Sequence, residues 1–158
     1  MKILRKFTSK RNDVFLAEDE NGRFVIKRYA GAEDAETEKA VYDRLQGSEV
    51  RTPRLLSSDK CELKLSYVEG VTFTELVERQ ERAGSPDFEP WEKLVNWLCC
   101  FYGSTGLIMG DCNLRNFILD AQGRVCGIDL SSAARAASRQ WRALSALSSS
   151  FMTRRKRR

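Results

Sequence analysis

A predicted β-hairpin near the N-terminus sets the strongest limit on the fold of this chain. Its turn is Glu18–Gly22, which ends in the Asn-Gly dipeptide typical of tight hairpin turns. The apolar runs Val14–Ala17 and Phe24–Tyr29 flank the turn, and the loosely alternating run Ile3–Phe7 precedes it. Together the three runs predict an antiparallel meander of three strands at the start of the chain.

Helical and strand patterns both continue beyond this meander. Residues 33–46 predict an amphipathic helix with Ala40, Val41 and Leu45 on its apolar face. The order of the patterns predicts an α+β chain, with a β-rich N-terminal half and a mainly helical C-terminal half. The other predicted elements are a strand at 62–68, helices at 72–82 and 91–102, a loop at 83–90, short strands at 117–119 and 124–128, and a helix over 132–150.

The composition is that of a globular protein, and it excludes several classes of enzyme. The chain has 158 residues, of which 42% are hydrophobic and 31% charged, enough for one domain or two small lobes. No apolar run approaches the roughly 20 residues of a membrane span, and the polar N-terminus is unlike a signal peptide. The five cysteines form no disulfide or zinc-binding pattern, so we expect a cytoplasmic protein. The absence of histidine excludes Ser–His–Asp and Cys–His catalysis.

The positive charge is concentrated at the C-terminus. The net charge is +5, and the five residues 154–158 are all arginine or lysine, so the remainder of the chain is balanced. A basic end of this kind is most often a solvated tail. Its functional alternative is a patch that binds RNA or another polyanion.

Oxygen-bearing side chains are predicted to gather around the hairpin 117–128. Asp111 lies five residues before Asn116, just ahead of the first hairpin strand, and Asp129 follows the second strand. Because a hairpin returns the chain to its starting point, we expect the three side chains to converge. Oxygen ligands of this kind suit Mg²⁺, and an aspartate beside such a site can accept the proton of a substrate hydroxyl.

This pattern resembles the catalytic core of the kinase superfamily, in which an aspartate, an asparagine five residues later and a second aspartate after a short hairpin recur. The sequence GDCNLRN, with IDL further on, is more similar to aminoglycoside/choline phosphotransferases and small atypical kinases than to protein kinases proper. Among the small atypical kinases, the sequence resembles the KEOPS-kinase and RIO-like branch. The resemblance implies that Asp111 is the catalytic aspartate and that Asn116 and Asp129 bind Mg²⁺.

The upstream half of the chain is similar to the same superfamily. Lys27, at the end of Val-Ile-Lys, matches the strand lysine that contacts the α- and β-phosphates of ATP, and Glu38 would be its partner in the next helix. The resemblance covers residues 1 to about 131. It implies a protein-kinase-like two-lobe fold, with an N-lobe at 1–68 and a shortened C-lobe at 69–158. The residues that resemble the hinge, whose backbone groups hold adenine, are Ser66, Tyr67 and Val68.

Each of these residues also has a plainer interpretation. A lysine at the end of a strand is usually solvated, and aspartates and asparagines near turns usually cap backbone groups. Asp129 could be the N-cap of a following helix. The occurrence of all the matches in one order favours the kinase-like interpretation.

The resemblance therefore implies a Mg·ATP-dependent phosphotransferase that acts on an unidentified hydroxyl acceptor or hydrolyses ATP. It departs from the superfamily pattern at the loop 8–13, which has no glycine and would use Lys10 or Arg11 for charge, and at Met109, where a histidine is usual. The chain also ends 27 residues after position 131, so we expect a protein partner or a second copy to complete the acceptor site. The alternative is a catalytically weak scaffold that binds RNA or a partner through the basic tail.

Overall fold

The computed structural model describes residues 1–9 and 11–135, and the first half of the chain forms one antiparallel sheet. The five strands lie in the order β1-β2-β3-β5-β4, so the predicted meander β1-β2-β3 is confirmed. Val68 lies beyond the last strand of this sheet, which ends two residues earlier than predicted. The strands are β1 (Lys2–Phe7), β2 (Asp13–Asp19), β3 (Gly22–Arg28), β4 (Leu55–Asp59) and β5 (Glu62–Ser66).

The register of the sheet separates two faces. Residues opposite each other in antiparallel strands share a face. Ala17 is opposite Phe24, and both are buried on the outer face, where the Lys64 ammonium lies 3.7 Å from the centre of the Phe24 ring. Lys27 and the residues two positions away from it along β3 point to the inner face. The inner face is the one that helix α1 covers.

Helix α1 (Ala32–Leu45) buries a different set of residues from the one predicted. Val41 and Leu45 are buried as expected, but Ala40 is exposed, so its predicted place on the apolar face was wrong. The buried stripe instead includes Glu38 and Tyr42, which lie one turn apart. The inner face of α1 is therefore partly polar.

The second half of the chain contains two more helices and five short strands. The three-stranded sheet has the order β6-β8-β9, and β7 pairs with β10. With α1, this gives an α+β arrangement with three α-helices in the part of the chain that the structure describes. The elements are β6 (Val71–Thr72), α2 (Phe73–Ala83), α3 (Glu89–Thr105), β7 (Leu107–Met109), a single 3₁₀ turn (Leu114–Asn116), β8 (Phe117–Leu119), β9 (Val125–Gly127) and β10 (Ala133–Arg135).

Helix α3 is longer than predicted at both ends. Pro90 occupies its first turn, where the missing N–H of proline costs nothing. Its last turn continues through Gly103 to Thr105, whose hydroxyl donates to the Phe101 carbonyl at 2.7 Å. The helix then ends at Gly106 in the left-handed conformation, with φ of 67°. The predicted loop at 83–90 is correspondingly shorter.

The predicted helix over 132–150 was wrong for the residues that the structure describes. Ala133–Arg135 forms β10, which pairs antiparallel with Leu107–Met109. The sheet partner overrides the helical preference of an Ala-Arg sequence. Positions 136–150 and the basic tail 154–158 lie outside the described residues.

The core lies between the sheet, α1 and α3. Phe73, Phe101 and Phe117 are its largest fully buried apolar side chains, and Trp97 stacks on Phe101 with ring centres 5.2 Å apart. All five cysteines are free thiols. None of the helices within residues 1–9 and 11–135 is long and apolar enough to cross a membrane.

Candidate functional site

Three charged side chains from distant parts of the chain meet between β3, α1 and the segment after β9. The Lys27 ammonium lies 2.6 Å from Glu38 Oε2 and 2.8 Å from Asp129 Oδ1. The side chains of Lys27 and Glu38 are 5% and 0% exposed, whereas that of Asp129 is 37% exposed. The cluster is therefore closed on the side of α1 and open to solvent at Asp129.

Glu38 links three segments of the chain. Its Oε2 accepts hydrogen bonds from the Lys27 ammonium and from the Tyr29 hydroxyl, each at 2.6 Å. Its Oε1 accepts from the backbone N–H of Leu130 at 3.2 Å. Buried charges are stable in proteins when they are paired and hydrogen-bonded, and Glu38 is both. The carboxylate thus fastens α1 to β3 and to the residue next to Asp129.

Asp129 is held in its ionised form. Burial raises the pKa of this carboxyl, but the Lys27 ammonium and the hydrogen bonds from Ser131 outweigh burial and lower the pKa below its usual value. Ser131 donates its hydroxyl at 2.7 Å and its backbone N–H at 3.2 Å, both to Oδ1. The two carboxylates of the cluster face one ammonium, which leaves an excess of negative charge.

Asp111 and Asn116 lie in the loop between β7 and β8. The Asn116 side chain is buried, and its Nδ2 donates to the Asp111 carbonyl at 3.3 Å. The Asp111 carboxylate is exposed, with Oδ1 accepting the backbone N–H of Asn113 at 3.1 Å. The loop therefore folds on itself and presents the Asp111 carboxylate at its surface.

The segment after β9 brings this loop to the charged cluster. The N–H of Ile128 donates to the Asn116 carbonyl at 2.9 Å, and the N–H of Asp111 donates to the Ser132 hydroxyl at 2.9 Å. Asp129 lies between Ile128 and Ser132 in the chain. The backbone of Asp111 and of Asn116 is thus attached to one segment, 128–132, and Asp129 in that segment contacts Lys27.

The donors of this region fit Mg²⁺. Every hydrogen bond that the described residues make to Asp129 ends on Oδ1, so Oδ2 is the carboxylate oxygen left for a metal. Asn116 commits its Nδ2 to Asp111, which leaves its Oδ1 as the acceptor end of the carboxamide. Across the described residues, no group of three or more His, Cys, Asp or Glu could hold a metal ion. A metal here would depend on Asn116 and on water or phosphate as further ligands.

The predicted hinge residues lie at the end of β5. The register places Ser66 opposite the residue three positions before Lys27, a separation of about 10 Å along the strand. The Ser66 N–H donates to the Arg54 carbonyl at 2.9 Å, so this amide is already used. Tyr67 and Val68 follow the strand and are half-buried. Of the three predicted hinge residues, Tyr67 and Val68 lie after the end of β5, so their backbone groups take no part in the strand pairing of the sheet.

An apolar surface lies beside Lys27 on the inner face of the sheet. The register pairs Lys27 with Val14 and Val25 with Leu16, which places all four on one face. Val14, Leu16 and Val25 are only half-buried. They leave apolar surface next to the ammonium, against which a flat ligand can pack.

The loop between β1 and β2 lies beside the end of β3. Together they line a polar depression of ≈ 250 Å³, with Ser9, Arg11 and Asn12 on the loop side and Arg28 opposite. The Arg28 guanidinium is paired with Glu62 at 2.7 Å. Lys10, the other charge predicted for this loop, lies outside the described residues.

Comparison with known proteins identifies a shared fold. No protein-family model matches the chain, and a search of curated proteins finds no match. Solved structures do match, 1861 chains in all, so the fold is common and does not by itself select a function. One match is the complex of Rv3197 with erythromycin from Mycobacterium tuberculosis, with a TM-score of 0.59 and 17% sequence identity. This likeness shows the fold alone.

The match to the Rv3197 structure covers a larger share of this chain than of the Rv3197 chain. It covers 81% of this chain but 44% of that chain. This chain therefore spans less than half the length of the protein it resembles.

Sequence reasoning missed three polar residues of the site. Tyr29 lies two positions after Lys27, so the two-residue period of a strand could have placed it on the face of the ammonium. Ser131 bonds to its near neighbour Asp129, as turn serines commonly do, so it gave no separate signal of a site. Ser132 accepts the N–H of Asp111 across 21 residues, which no local pattern shows.

Proposed function

We propose that this chain is a protein-kinase-like phosphotransferase, in which a β-rich N-lobe at 1–68 and a shortened C-lobe at 69–158 bind Mg·ATP between them. The contact of Lys27 with both Glu38 and Asp129 carries the proposal. A buried ammonium between two carboxylates is a costly arrangement for stability alone. A site that binds phosphate and a divalent cation requires this combination of charges.

The inner face of the sheet supports a nucleotide as the ligand. Val14, Leu16 and Val25 offer apolar contacts for a base, and the backbone of Tyr67 and Val68 is available for hydrogen bonds at the end of the same face. The amide of Ser66 is used by the sheet, so this hinge residue would contribute by its position rather than by its N–H. The apolar surface and the ammonium would then bind the base and the phosphates of ATP.

The residues of the loop 109–116 would perform the chemistry. Asp111, with its exposed carboxylate, would orient an acceptor hydroxyl or a water and accept its proton. Asp129 through Oδ2 and Asn116 through Oδ1 would hold Mg²⁺, which neutralises phosphate charge when it is bound. Lys27 would turn from Asp129 to the phosphates while Glu38 retains it. These roles amount to positioning and charge stabilisation.

The acceptor site is the part of the proposal that involves a partner. We propose that a protein partner or a second copy of the chain contributes to the acceptor site beside the exposed Asp111 carboxylate. The acceptor class proposed is a hydroxyl compound, with water as the minimal acceptor. Binding of RNA by the tail 154–158 belongs to the alternative scaffold hypothesis.

Thermal unfolding with and without Mg·ATP tests the proposed function. Because a ligand that binds the native state raises the midpoint, we expect a rise that requires both Mg²⁺ and ATP and disappears in Asp129→Asn. Asp34→Asn is the matched control, since Asp34 is exposed in the first turn of α1. This variant should keep the full rise.

The absence of a rise at millimolar Mg·ATP would contradict the proposal and favour the scaffold. A rise of equal size in Asp129→Asn would contradict the assigned metal ligand. The scaffold hypothesis itself predicts RNA binding that weakens steeply with salt and is lost when 154–158 is deleted.

A further inference from the structure

Tyr29 holds the same carboxylate oxygen as Lys27. Its hydroxyl donates to Glu38 Oε2 at 2.6 Å, equal to the distance from the Lys27 ammonium to that oxygen. Tyr29 is buried, and its backbone N–H donates to the Cys61 carbonyl at 2.8 Å, which continues the sheet pairing beyond the end of β3. The tyrosine is therefore fixed at its backbone and at its hydroxyl.

The Tyr29 hydroxyl is a permanent donor. Burial and the neighbouring charge of Glu38 raise its pKa far above the usual value of a tyrosine, so the phenol stays protonated at every physiological pH. Lys27 has a second anionic partner in Asp129, whereas Tyr29 has only Glu38 among the described hydrogen bonds of its hydroxyl. The bond to Tyr29 would persist when Lys27 moves.

We propose that Tyr29 is a positioning residue, which fixes the Glu38 carboxylate so that Lys27 keeps one anchor when a ligand draws it away from Asp129. Without the Tyr29 hydroxyl, Oε2 of Glu38 would be held by the Lys27 ammonium alone, and the N–H of Leu130 on Oε1 would be the one fixed donor left to the carboxylate among the described residues. Oε2 could then swing about that remaining bond, and Lys27 would lose its fixed direction. That this role of Tyr29 assists phosphoryl transfer rests on the proposed function. That Tyr29 restrains Lys27 through Glu38 does not depend on the proposed function.

The chain contains a matched control for this hydroxyl. Tyr42 is also buried and lies one turn after Glu38 on α1, but its hydroxyl has no hydrogen-bond partner in the part of the chain that the structure describes. Tyr29→Phe and Tyr42→Phe therefore delete the same atom from the same core. Only the first deletion removes a bond to Glu38.

The experiment measures the rate of reductive methylation of Lys27 in the folded protein, by mass spectrometry, relative to Lys60, whose side chain is exposed. Loss of the hydrogen bond to the charged carboxylate leaves Lys27 less firmly held, so we expect Tyr29→Phe to speed modification of Lys27 about tenfold. Tyr42→Phe should match the wild type. In a Glu38→Gln background, Tyr29→Phe should add little, because it acts through the carboxylate.

Equal rates in Tyr29→Phe and Tyr42→Phe would overturn the proposal. So would an effect of Tyr29→Phe that is fully retained in the Glu38→Gln background, since this would show a role independent of Glu38. Mg·ATP is added in a separate arm, where it should protect Lys27 of the wild type. A lack of protection would count against the proposed function while the Tyr29 comparison still decides the positioning role.

Discussion

Lys27 and Asp129 are 102 residues apart in the sequence, and their side chains are 2.8 Å apart in the structure. This contact joins the third strand of the first sheet to the segment after the last hairpin. Glu38 shares the ammonium and also accepts the N–H of Leu130. The two halves of the chain are thus connected by one small group of charges, which any change at Lys27 must disturb.

The first prediction concerns the removal of that ammonium. Lys27→Met keeps the length of the side chain but leaves the buried Glu38 and the partly buried Asp129 without their cation. Breaking a buried ion pair in this way typically costs about 3 kcal/mol, so we expect the free energy of unfolding to fall by about that amount. Urea denaturation measures the change.

Lys39→Met is the control for Lys27→Met. Lys39 is on the outer side of α1 and pairs with Asp43 at 3.0 Å, on the surface of the helix. Surface pairs contribute little to stability, so this variant should unfold close to the wild type. An equal fall in the free energy of unfolding of the two variants would show that the buried ion pairs of Lys27 stabilise the protein no more than a surface pair does.

The second prediction concerns Asp111. If the chain is the proposed phosphotransferase, Asp111→Asn should reduce ATP turnover by at least about 100-fold, because a carboxamide cannot accept the proton of the acceptor. It should leave binding of Mg·ATP unchanged. Turnover is measured by phosphate release and binding by the shift in unfolding temperature.

Asp87→Asn is the control for Asp111→Asn. The Asp87 carboxylate is exposed and accepts the N–H two residues later at 3.0 Å, as Asp111 does at 3.1 Å. This variant should retain full activity. If Asp111→Asn turned over ATP at the wild-type rate, the assignment of Asp111 as the catalytic aspartate would be contradicted.

The parts of the fold that the sequence predicts are those that depend on local pattern. The hairpin around the Asn-Gly turn follows from the turn conformation and the alternation of the flanking strands. The strands β7 and β10 have three residues each, too few to show a period, and they exist because they pair with each other across 24 residues, the offset from Met109 to Ala133. Pairing between residues this far apart in the sequence produces no local sequence pattern from which it could be predicted.

In the candidate site too, features set by local sequence are predictable and those set by long-range packing are not. That the chain returns to Asn116 after the hairpin is predictable, because β8 and β9 pair and the N–H of Ile128 donates to the Asn116 carbonyl. Tyr29 is not, because its role depends on which residues of α1 face the sheet, and the sequence placed the exposed Ala40 on that face. The pairing of Glu38 with Lys27 was expected from the resemblance, but the apolar pattern of α1 did not predict that Glu38 would be fully buried.

The third prediction concerns acid stability. The folded pKa of Asp129 is lowered, so its contribution is present above the unfolded value of about 3.9 and is lost as the pH falls through the folded value. The free energy of unfolding of the wild type should therefore decline more steeply below about pH 4 than that of Asp129→Asn. Lys27→Met should also flatten the decline, because it removes a cause of the shift. Parallel curves for wild type and Asp129→Asn would contradict this linkage.

The last prediction concerns Gly127, two residues before Asp129. A Cβ at this position would lie 2.5 Å from two carbons of the Trp97 ring, whose indole N–H is fixed to the Arg51 carbonyl at 2.8 Å. Because the ring cannot move away without losing that bond, Gly127→Ala should lower the free energy of unfolding by about 2 kcal/mol and weaken binding of Mg·ATP. Gly103→Ala is the control, since a Cβ there meets nothing within 4 Å, and alanine in α3 should stabilise the protein by up to about 1 kcal/mol. If both variants unfolded at the wild-type urea concentration, the contact with Trp97 would not set the position of β9.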